Sequence, residues 1–199
     1  MMARRRTTDP ARTAAFRVLR AVTADGAYAN LELARQRSGL SPSDAAFATE
    51  LTAGTCRGMG SYDEIIAAAS GRPTRSLQPA VLDALRLGTH QLLAMRVPAH
   101  AAIAATVDLA ALQIGERVAG VVNAILRKVA AHDLDAWLAQ LAAGRDELGR
   151  LALIHQHPRW VVDAFADVVP AGELEALLSA DNQPPVPQLV VRPGLAEQA

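Results

Sequence analysis

The amino-acid sequence predicts an all-α fold. Helix-start and helix-stop residues recur along the chain, and between them apolar residues return every three or four positions, the spacing of one helix face. No alternating apolar and polar run, the pattern of a half-buried strand, occurs before residue 186. The chain has 199 residues, of which 51% are apolar and 20% charged, so it can bury a core of its own.

Seven helical segments are predicted within residues 9–131, each with a cap or proline at its start or a glycine at its end. The first begins at Asp9-Pro10 and runs to about Ala24, where Asp25-Gly26 ends it. The second covers roughly residues 29–36. The other starts are Ser41-Pro42, Ser61, Pro79, the residues after Pro98 and the residues after Gly115.

Three glycines predict the end of the third helix. Gly54, Gly58 and Gly60 weaken a helix interior, and they follow no strand, as a phosphate-binding loop would. A separate short helix would then begin at Ser61. Cys56, the single cysteine, would lie in the last turns of the third helix, where the helix dipole disfavours a thiolate. We therefore predict a buried structural cysteine.

The apolar faces of these segments predict one helical bundle over residues 9–131. His90 and His100 fall among apolar helix positions and are predicted to be packed, each with one hydrogen bond. The expected core includes Leu19, Leu51, Leu85, Leu92, Val107 and Leu126.

Beyond the bundle, residues 132–185 are predicted to form a helical linker of short segments. These segments lie around Trp137 and Leu141, and over 148–154, 160–165 and 174–178. The stretch from Val186 to Val191 is strand-like, although Pro187 interrupts it, and the eight residues after it offer no partner strand. We interpret residues 186–199 as the start of a domain that is truncated at the end of this sequence.

The charge of the chain is unevenly distributed. Residues 1–131 hold 16 lysines and arginines against 10 acids, whereas residues 132–199 hold 4 against 10. Near the N-terminus only Asp9 opposes six arginines, which are Arg4, Arg5, Arg6, Arg12, Arg17 and Arg20. A helical wheel places the last three outside the apolar face of the first helix. Residues 1–8 thus form a basic arm suited to polyphosphate or anionic lipid, or else a solvated tail.

The sequence predicts no catalytic, cofactor-binding or metal-binding residue. His132, His155 and His157 lack acidic or thiol ligands at a fitting spacing and are interpreted as solvated or capping residues. No phosphate-loop motif or strand-turn-helix fingerprint for a nucleotide occurs. Three Phe, two Tyr and two Trp are too few to favour base stacking on a sheet. The sequence therefore predicts that arginines on helices bind the phosphate backbone of a nucleic acid.

Five segments in the predicted bundle carry a family resemblance. They are SDAAF at 43–47, ELTAGTCR at 50–57, LRLGTHQLL at 85–93, VPAHAA at 97–102 and GVVNAILRK at 120–128. Together they resemble the NusB-like helical RNA-binding domain, and more closely its version at the N-terminus of the Fmu/RsmB family of 16S ribosomal RNA (cytosine-carbon-5) methyltransferases. HPRWVV at 157–162 and LLSADNQPP at 177–185 resemble the linker that leads to the methyltransferase core of that family.

The resemblance implies a family in which S-adenosylmethionine donates a methyl group to carbon 5 of a cytosine while a cysteine attacks the base. Cys56 lies outside the Pro-Cys catalytic motif of that family, and the glycine-rich cofactor loop is absent. We therefore expect the chain to be inactive alone and to bind no cofactor. By the same resemblance, RNA contact falls on the arginine-rich start and on Asn123, Arg127 and Lys128.

Three functions remain open at this point. The first is the RNA-binding part of such a methyltransferase, with small-subunit ribosomal RNA and the missing methyltransferase domain as partners. The second is a stand-alone transcription antitermination factor that binds RNA together with a small protein. The third is a helical protein-interaction module, and the C-terminal 68 residues favour the first. The single cysteine and the lack of a signal or spanning segment predict a cytoplasmic protein without a membrane partner.

Overall fold

The computed structural model describes residues 6–7, 9–170 and 172–183, and every regular element in this part is helical. This confirms the predicted all-α fold. Short 3-10 turns at Thr74–Ser76 and Glu116–Val118 precede α4 and α6. The α-helices in chain order are α1 (Pro10–Asp25), α2 (Ala29–Gln36), α3 (Pro42–Ser70), α4 (Pro79–Leu93), α5 (Ala99–Gln113), α6 (Ala119–Val129), α7 (Leu134–Ala142), α8 (Glu147–Ile154), α9 (Arg159–Ala166) and α10 (Leu174–Asp181).

Helix α1 shows how local signals set the helix ends. The Asp9 carboxylate accepts the backbone N–H of Arg12 at 2.9 Å, and Pro10 occupies the first turn, where its missing N–H costs nothing. At the other end Gly26 adopts a left-handed φ of 67°, which glycine tolerates without steric cost. The predicted start and end of this helix are confirmed.

Helix α3 continues unbroken through Gly54, Gly58 and Gly60, so the predicted helix end and the separate segment after it are wrong. A Cβ atom at position 54 would lie 2.2 Å from the imidazole ring of His90 on α4. A Cβ atom at position 58 would lie 2.5 Å from the Tyr62 ring. Two of the glycines therefore make room for buried rings, a reason that no helix-propensity rule detects.

The core forms around α3, which packs against α1, α4 and α6, while α5 packs against α4 and α6. Leu92 and Val107 are only partly buried and pack against the outside of the core, so their predicted place in it is confirmed only in part. Leu92 lies in the last turn of α4, and Val107 lies on a face of α5 that lines an open groove. The predicted core leucines that are fully buried are Leu19, Leu51, Leu85 and Leu126.

The helices after residue 132 pack against the bundle at two points. Trp137 of α7 enters the main core, and its indole N–H donates to the Val129 carbonyl at 2.9 Å. The Ser61 hydroxyl of α3 donates to the Leu153 carbonyl of α8 at 3.0 Å in a buried contact. Helices α8, α9 and α10 also bury an apolar cluster of their own, formed by Leu151, Ala152, Val162, Leu174 and Leu178. The four predicted helical segments of the linker are confirmed.

The predicted strand and the predicted lack of a membrane-spanning segment differ in how far the described residues bear on them. The strand-like run at 186–191, together with the rest of residues 184–199, lies outside the described part of the chain. Of the helices that the structure describes, none is long and apolar enough to cross a membrane.

His90 is the titratable residue most affected by the core. Its side chain is 4% exposed, and its Nδ1 lies 2.8 Å from the Tyr62 hydroxyl. Within the described residues its Nε2 has no hydrogen-bond partner. Burial, together with the nearby charge of Arg57, lowers the pKa of His90 to about 4. The predicted packing of His90 is confirmed, and the ring is neutral at pH 7.

The lowered pKa of His90 predicts a loss of stability in mild acid. The unfolded chain binds a proton at this histidine below about pH 6.5, whereas the folded chain does so only near pH 4. The free energy of unfolding should therefore fall as the pH drops through this window, by about 2 kcal/mol at pH 5 from His90 alone. Urea melts at pH 7 and pH 5 measure it. In a His90→Gln variant the fall should be smaller by this amount, and an unchanged fall would contradict the prediction.

Candidate nucleic-acid interface

Two of the α1 arginines are tied into the bundle. The Arg12 Nε donates to the Gln91 side chain at 2.7 Å, and its guanidinium lies 4.7 Å from the centroid of the Phe47 ring. Arg12 also pairs with Asp9, and its side chain is only 13% exposed. The helical wheel is therefore wrong to place Arg12 on open surface, because α3 and α4 cover it. Its visible interactions are structural.

Arg20 is similarly engaged, with a buried carboxylate. Its Nη1 donates to Asp83 of α4 at 2.7 Å, and Asp83 is 1% exposed. The same carboxylate accepts the Thr23 hydroxyl at 2.7 Å and the Arg86 Nη1 at 2.8 Å. Arg86 makes a further bidentate pair with Asp63 of α3, at 2.7 and 2.6 Å. This ion network joins α1, α3 and α4.

Arg6 crosses from the N-terminal segment to α5 and the following turn. Its Nη1 donates to Asp108 at 2.7 Å, and its Nε donates to Glu116 at 2.9 Å. The hydrogen bonds from Arg6 lower the pKa of Glu116, so this carboxylate is ionised at neutral pH. The arm is thus attached to the bundle at Arg6, beside the end of α5.

The remaining predicted site residues divide between exposed positions and positions that the structure does not describe. Arg17, Arg127 and Lys128 are exposed, and none of them pairs with a carboxylate among the described residues. Asn123 is half-buried on α6, and its Oδ1 accepts the Arg127 Nε at 3.3 Å. Arg4 and Arg5 lie outside the described part of the chain.

A groove of about 830 Å³ lies between α5 and α6 and brings three predicted residues together. Arg6, Asn123 and Arg127 line it, and Asp108 and Glu116 lie beside Arg6. Its other lining residues are His100, Ile103, Ala104 and Val107. Cavities that bind small molecules typically measure about 300–1,000 Å³ and combine apolar walls with a few polar groups. The groove fits this description.

His100 is the groove residue that sequence reasoning placed wrongly. It is exposed in the first turn of α5, so its prediction as a packed histidine is wrong. His100 lies directly after the Pro98–Ala99 helix start, where α5 borders the groove and not the core. Asp108 and Glu116 were also missed, because their partner Arg6 is more than 100 residues away in sequence. No local pattern could have joined them.

A second cavity, of about 670 Å³, lies where α3 meets α8 and α9. Two of its three lining arginines pair with acids, Arg145 with Glu64 and Arg159 with Asp146. Arg57 has no carboxylate partner among the described residues, but three acids line the cavity as well. Cys56 also lines this cavity. Burial raises the pKa of its thiol, and the residue lies in the middle of α3, so its predicted position near a helix end is wrong. The cavity offers neither an activated thiol nor a surplus of cations.

The described histidines and acids give no metal-binding group of three or more ligands. His157 instead contacts the His155 carbonyl at 2.7 Å and Asp181 at 3.0 Å. S-adenosylmethionine, the cofactor that the family resemblance implies, does not fit the described residues either. The resemblance implies a glycine-rich loop for this cofactor, which the described residues do not form. The glycines of α3 lie inside a helix and form no loop.

Comparison with known proteins places the chain in a family. The model of the NusB family matches residues 9–131. “Putative methyltransferase Rv1407” of Mycobacterium tuberculosis is 50% identical over 198 residues, which cover 96% of this chain and 43% of that protein. “Ribosomal RNA small subunit methyltransferase B” of Pseudomonas putida is 33% identical, over 87% of this chain and 38% of that protein.

The fold has a counterpart among solved structures. The crystal structure of PH0851 aligns with 89% of this chain and 40% of that chain, with a TM-score of 0.66 and 14% sequence identity. At this identity the likeness concerns the fold alone. The chain spans less than half the length of each of these relatives. The chain belongs to the NusB family, and it is homologous to proteins named ribosomal RNA small subunit methyltransferase B.

Proposed function

We propose that this chain is the RNA-binding part of an S-adenosylmethionine-dependent ribosomal RNA cytosine methyltransferase and that it binds small-subunit ribosomal RNA. The names of its relatives and the NusB-family match support this proposal. The methyl transfer would belong to a further domain, because the described residues offer neither a cofactor site nor an activated thiol.

The observation that carries the proposal is that three of the sequence-predicted RNA-binding cations on the bundle are exposed and pair with no carboxylate among the described residues. Arg127 and Lys128 project from the last turn of α6, and Arg127 also borders the groove. Arg17 is exposed on α1. A cation that already pairs with a buried carboxylate gains little from a phosphate, whereas a free one releases counterions when RNA binds. The free cations, together with Arg4 and Arg5 of the arm, are the proposed phosphate contacts.

The engaged arginines have a different proposed part in RNA binding. Arg12 and Arg20 hold α1 against the bundle and so position the free cations, rather than contacting phosphates themselves. Arg6 attaches the arm to the groove. Removal of Arg12 or Arg20 should therefore lower the free energy of unfolding. It should change the salt dependence of RNA binding little.

The test is the affinity for a small-subunit ribosomal RNA hairpin between 50 and 200 mM salt. Replacing Arg17, Arg127 and Lys128 by alanine should reduce the slope of log affinity against log salt by about 2, since each lost phosphate contact removes roughly 0.7–0.9. Binding should weaken similarly for all RNA sequences with the same structure, because phosphate contacts carry no base information. Fluorescence anisotropy measures both quantities.

The matched control replaces three arginines of the acidic part of the chain that already pair with carboxylates, namely Arg145, Arg150 and Arg159. This variant removes the same formal charge but should leave the slope within about 0.5 of the parent. Equal losses of slope in the two variants would show that net charge alone governs binding. An unchanged slope in the first variant would remove these three cations from the interface.

A further inference from the structure

The groove between α5 and α6 has the form of a site for an unpaired base. Its apolar wall consists of Ile103, Ala104 and Val107 on α5, and its polar rim includes Asn123 and Arg127 on α6. A planar base would cover the apolar wall, while the rim contacts the base edge. RNA-binding proteins read sequence mainly from unpaired bases, through hydrogen bonds to the base edges.

The rim is rich in hydrogen-bond donors. The Arg127 Nε donates to the Asn123 Oδ1 at 3.3 Å, which fixes the orientation of the amide because arginine cannot accept. The Asn123 oxygen is therefore occupied, and the groups left for a ligand are its amide N–H groups and the terminal N–H groups of Arg127. All of these donate.

The two carboxylates in the same groove lie beside Arg6 and leave the α6 rim rich in hydrogen-bond donors. Asp108 and Glu116 accept hydrogen bonds from Arg6, at 2.7 and 2.9 Å. Their negative charges are balanced in part by that guanidinium, and Arg127 has no carboxylate partner among the described residues. The α6 side of the groove is therefore a donor surface with a free positive charge.

A donor-rich rim selects among the bases. The edge of guanine that carries N7 and O6 offers two neighbouring acceptors, whereas the corresponding edge of adenine offers one acceptor and one donor. Uracil places its N3–H donor between its two acceptors. Cytosine offers the neighbouring acceptors N3 and O2, but its single ring covers less of the apolar wall than the double ring of guanine. We propose that the groove holds one unpaired guanine of the bound RNA, with Asn123 and Arg127 on its N7 and O6 edge. This inference rests on the proposed function.

The test compares oligouridylates of about ten nucleotides that carry a single central G, A, C or U. The G probe should bind about tenfold more tightly than the others, the discrimination of one good base contact. Replacing the central guanine with 7-deazaguanine, which lacks the N7 acceptor, should remove most of this preference. Inosine, which lacks only the amino group on the opposite edge, should retain it.

Two variants assign the preference to the groove. Asn123→Ala should bind the four probes with similar affinity while keeping the salt slope of the parent. Lys128→Ala, a neighbouring exposed residue outside the groove lining, should weaken binding to all four probes and keep the preference for G. Thermal melts verify that both variants fold. A preference for G that survives in Asn123→Ala would overturn the assignment.

The outcomes separate the inference from the proposed function. If the parent binds all four probes equally and with a steep salt dependence, the guanine site is wrong and RNA binding stands. If the parent binds neither these probes nor the ribosomal RNA hairpin at 50 mM salt, both proposals are wrong.

Discussion

Replacing Arg86 with methionine should lower the free energy of unfolding by about 3–5 kcal/mol, the usual cost of breaking a buried ion pair on one side. Methionine keeps most of the apolar stem of the side chain, so the loss would come from charge rather than from packing. Urea denaturation at pH 7 measures it.

The reason lies in the environment of Asp83. This carboxylate is 1% exposed, and Arg86 supplies one of its two charged partners. Without Arg86, the buried charge keeps only Arg20 and the Thr23 hydroxyl, and Asp63 loses both of its hydrogen bonds. A buried charge that loses a partner cannot regain its hydration.

Two further variants test whether charge is the cause. In an Asp83→Asn background, Arg86→Met should cost much less, because the amide carries no charge that needs Arg86. Arg150→Met breaks an exposed pair with Glu175, whose N···O distance is 3.8 Å, and should cost under about 1 kcal/mol. Equal costs of Arg86→Met in the two backgrounds would show that the loss does not come from the Asp83 charge.

Local signals in the sequence were sufficient for most of the fold. The caps at Asp9 and Ser41 each accept a backbone N–H three residues later, as the sequence predicts, because a cap involves neighbours in the chain. The ion network at Asp83 could not be predicted in this way. The Arg86–Asp83 pair has a local i,i+3 spacing, but Arg20 is 63 residues from Asp83 and Asp63 is 23 residues from Arg86.

The candidate site shows the same limit. The basic N-terminus is visible in the composition, but Arg6 and Arg20 pair with carboxylates of distant elements, which the composition does not show. A helical wheel places Arg12, Arg17 and Arg20 alike outside the apolar face of α1. Of these three, Arg17 alone has no carboxylate partner among the described residues. Tertiary packing therefore decides which charges remain available for RNA.

The last prediction concerns the glycines of α3. Replacing Gly54 with alanine should lower the free energy of unfolding by about 3 kcal/mol, at the upper end of the usual cost of overpacking a core. The new Cβ atom would lie 2.2 Å from both Cε1 and Nε2 of the buried His90 ring, so the ring or the helix must shift. Any shift also affects the 2.8 Å contact between His90 and the Tyr62 hydroxyl.

Gly60→Ala is the matched control on the same helix. Gly60 is exposed, and a Cβ atom there meets nothing within 4 Å. Alanine should therefore raise the free energy of unfolding by up to about 1 kcal/mol, the ordinary gain in helix propensity. Urea melts of both variants at pH 7 give the comparison. If the glycines instead marked a helix end, the two substitutions would have similar effects, and stabilisation by Gly54→Ala would show that α3 does not approach the His90 ring closely.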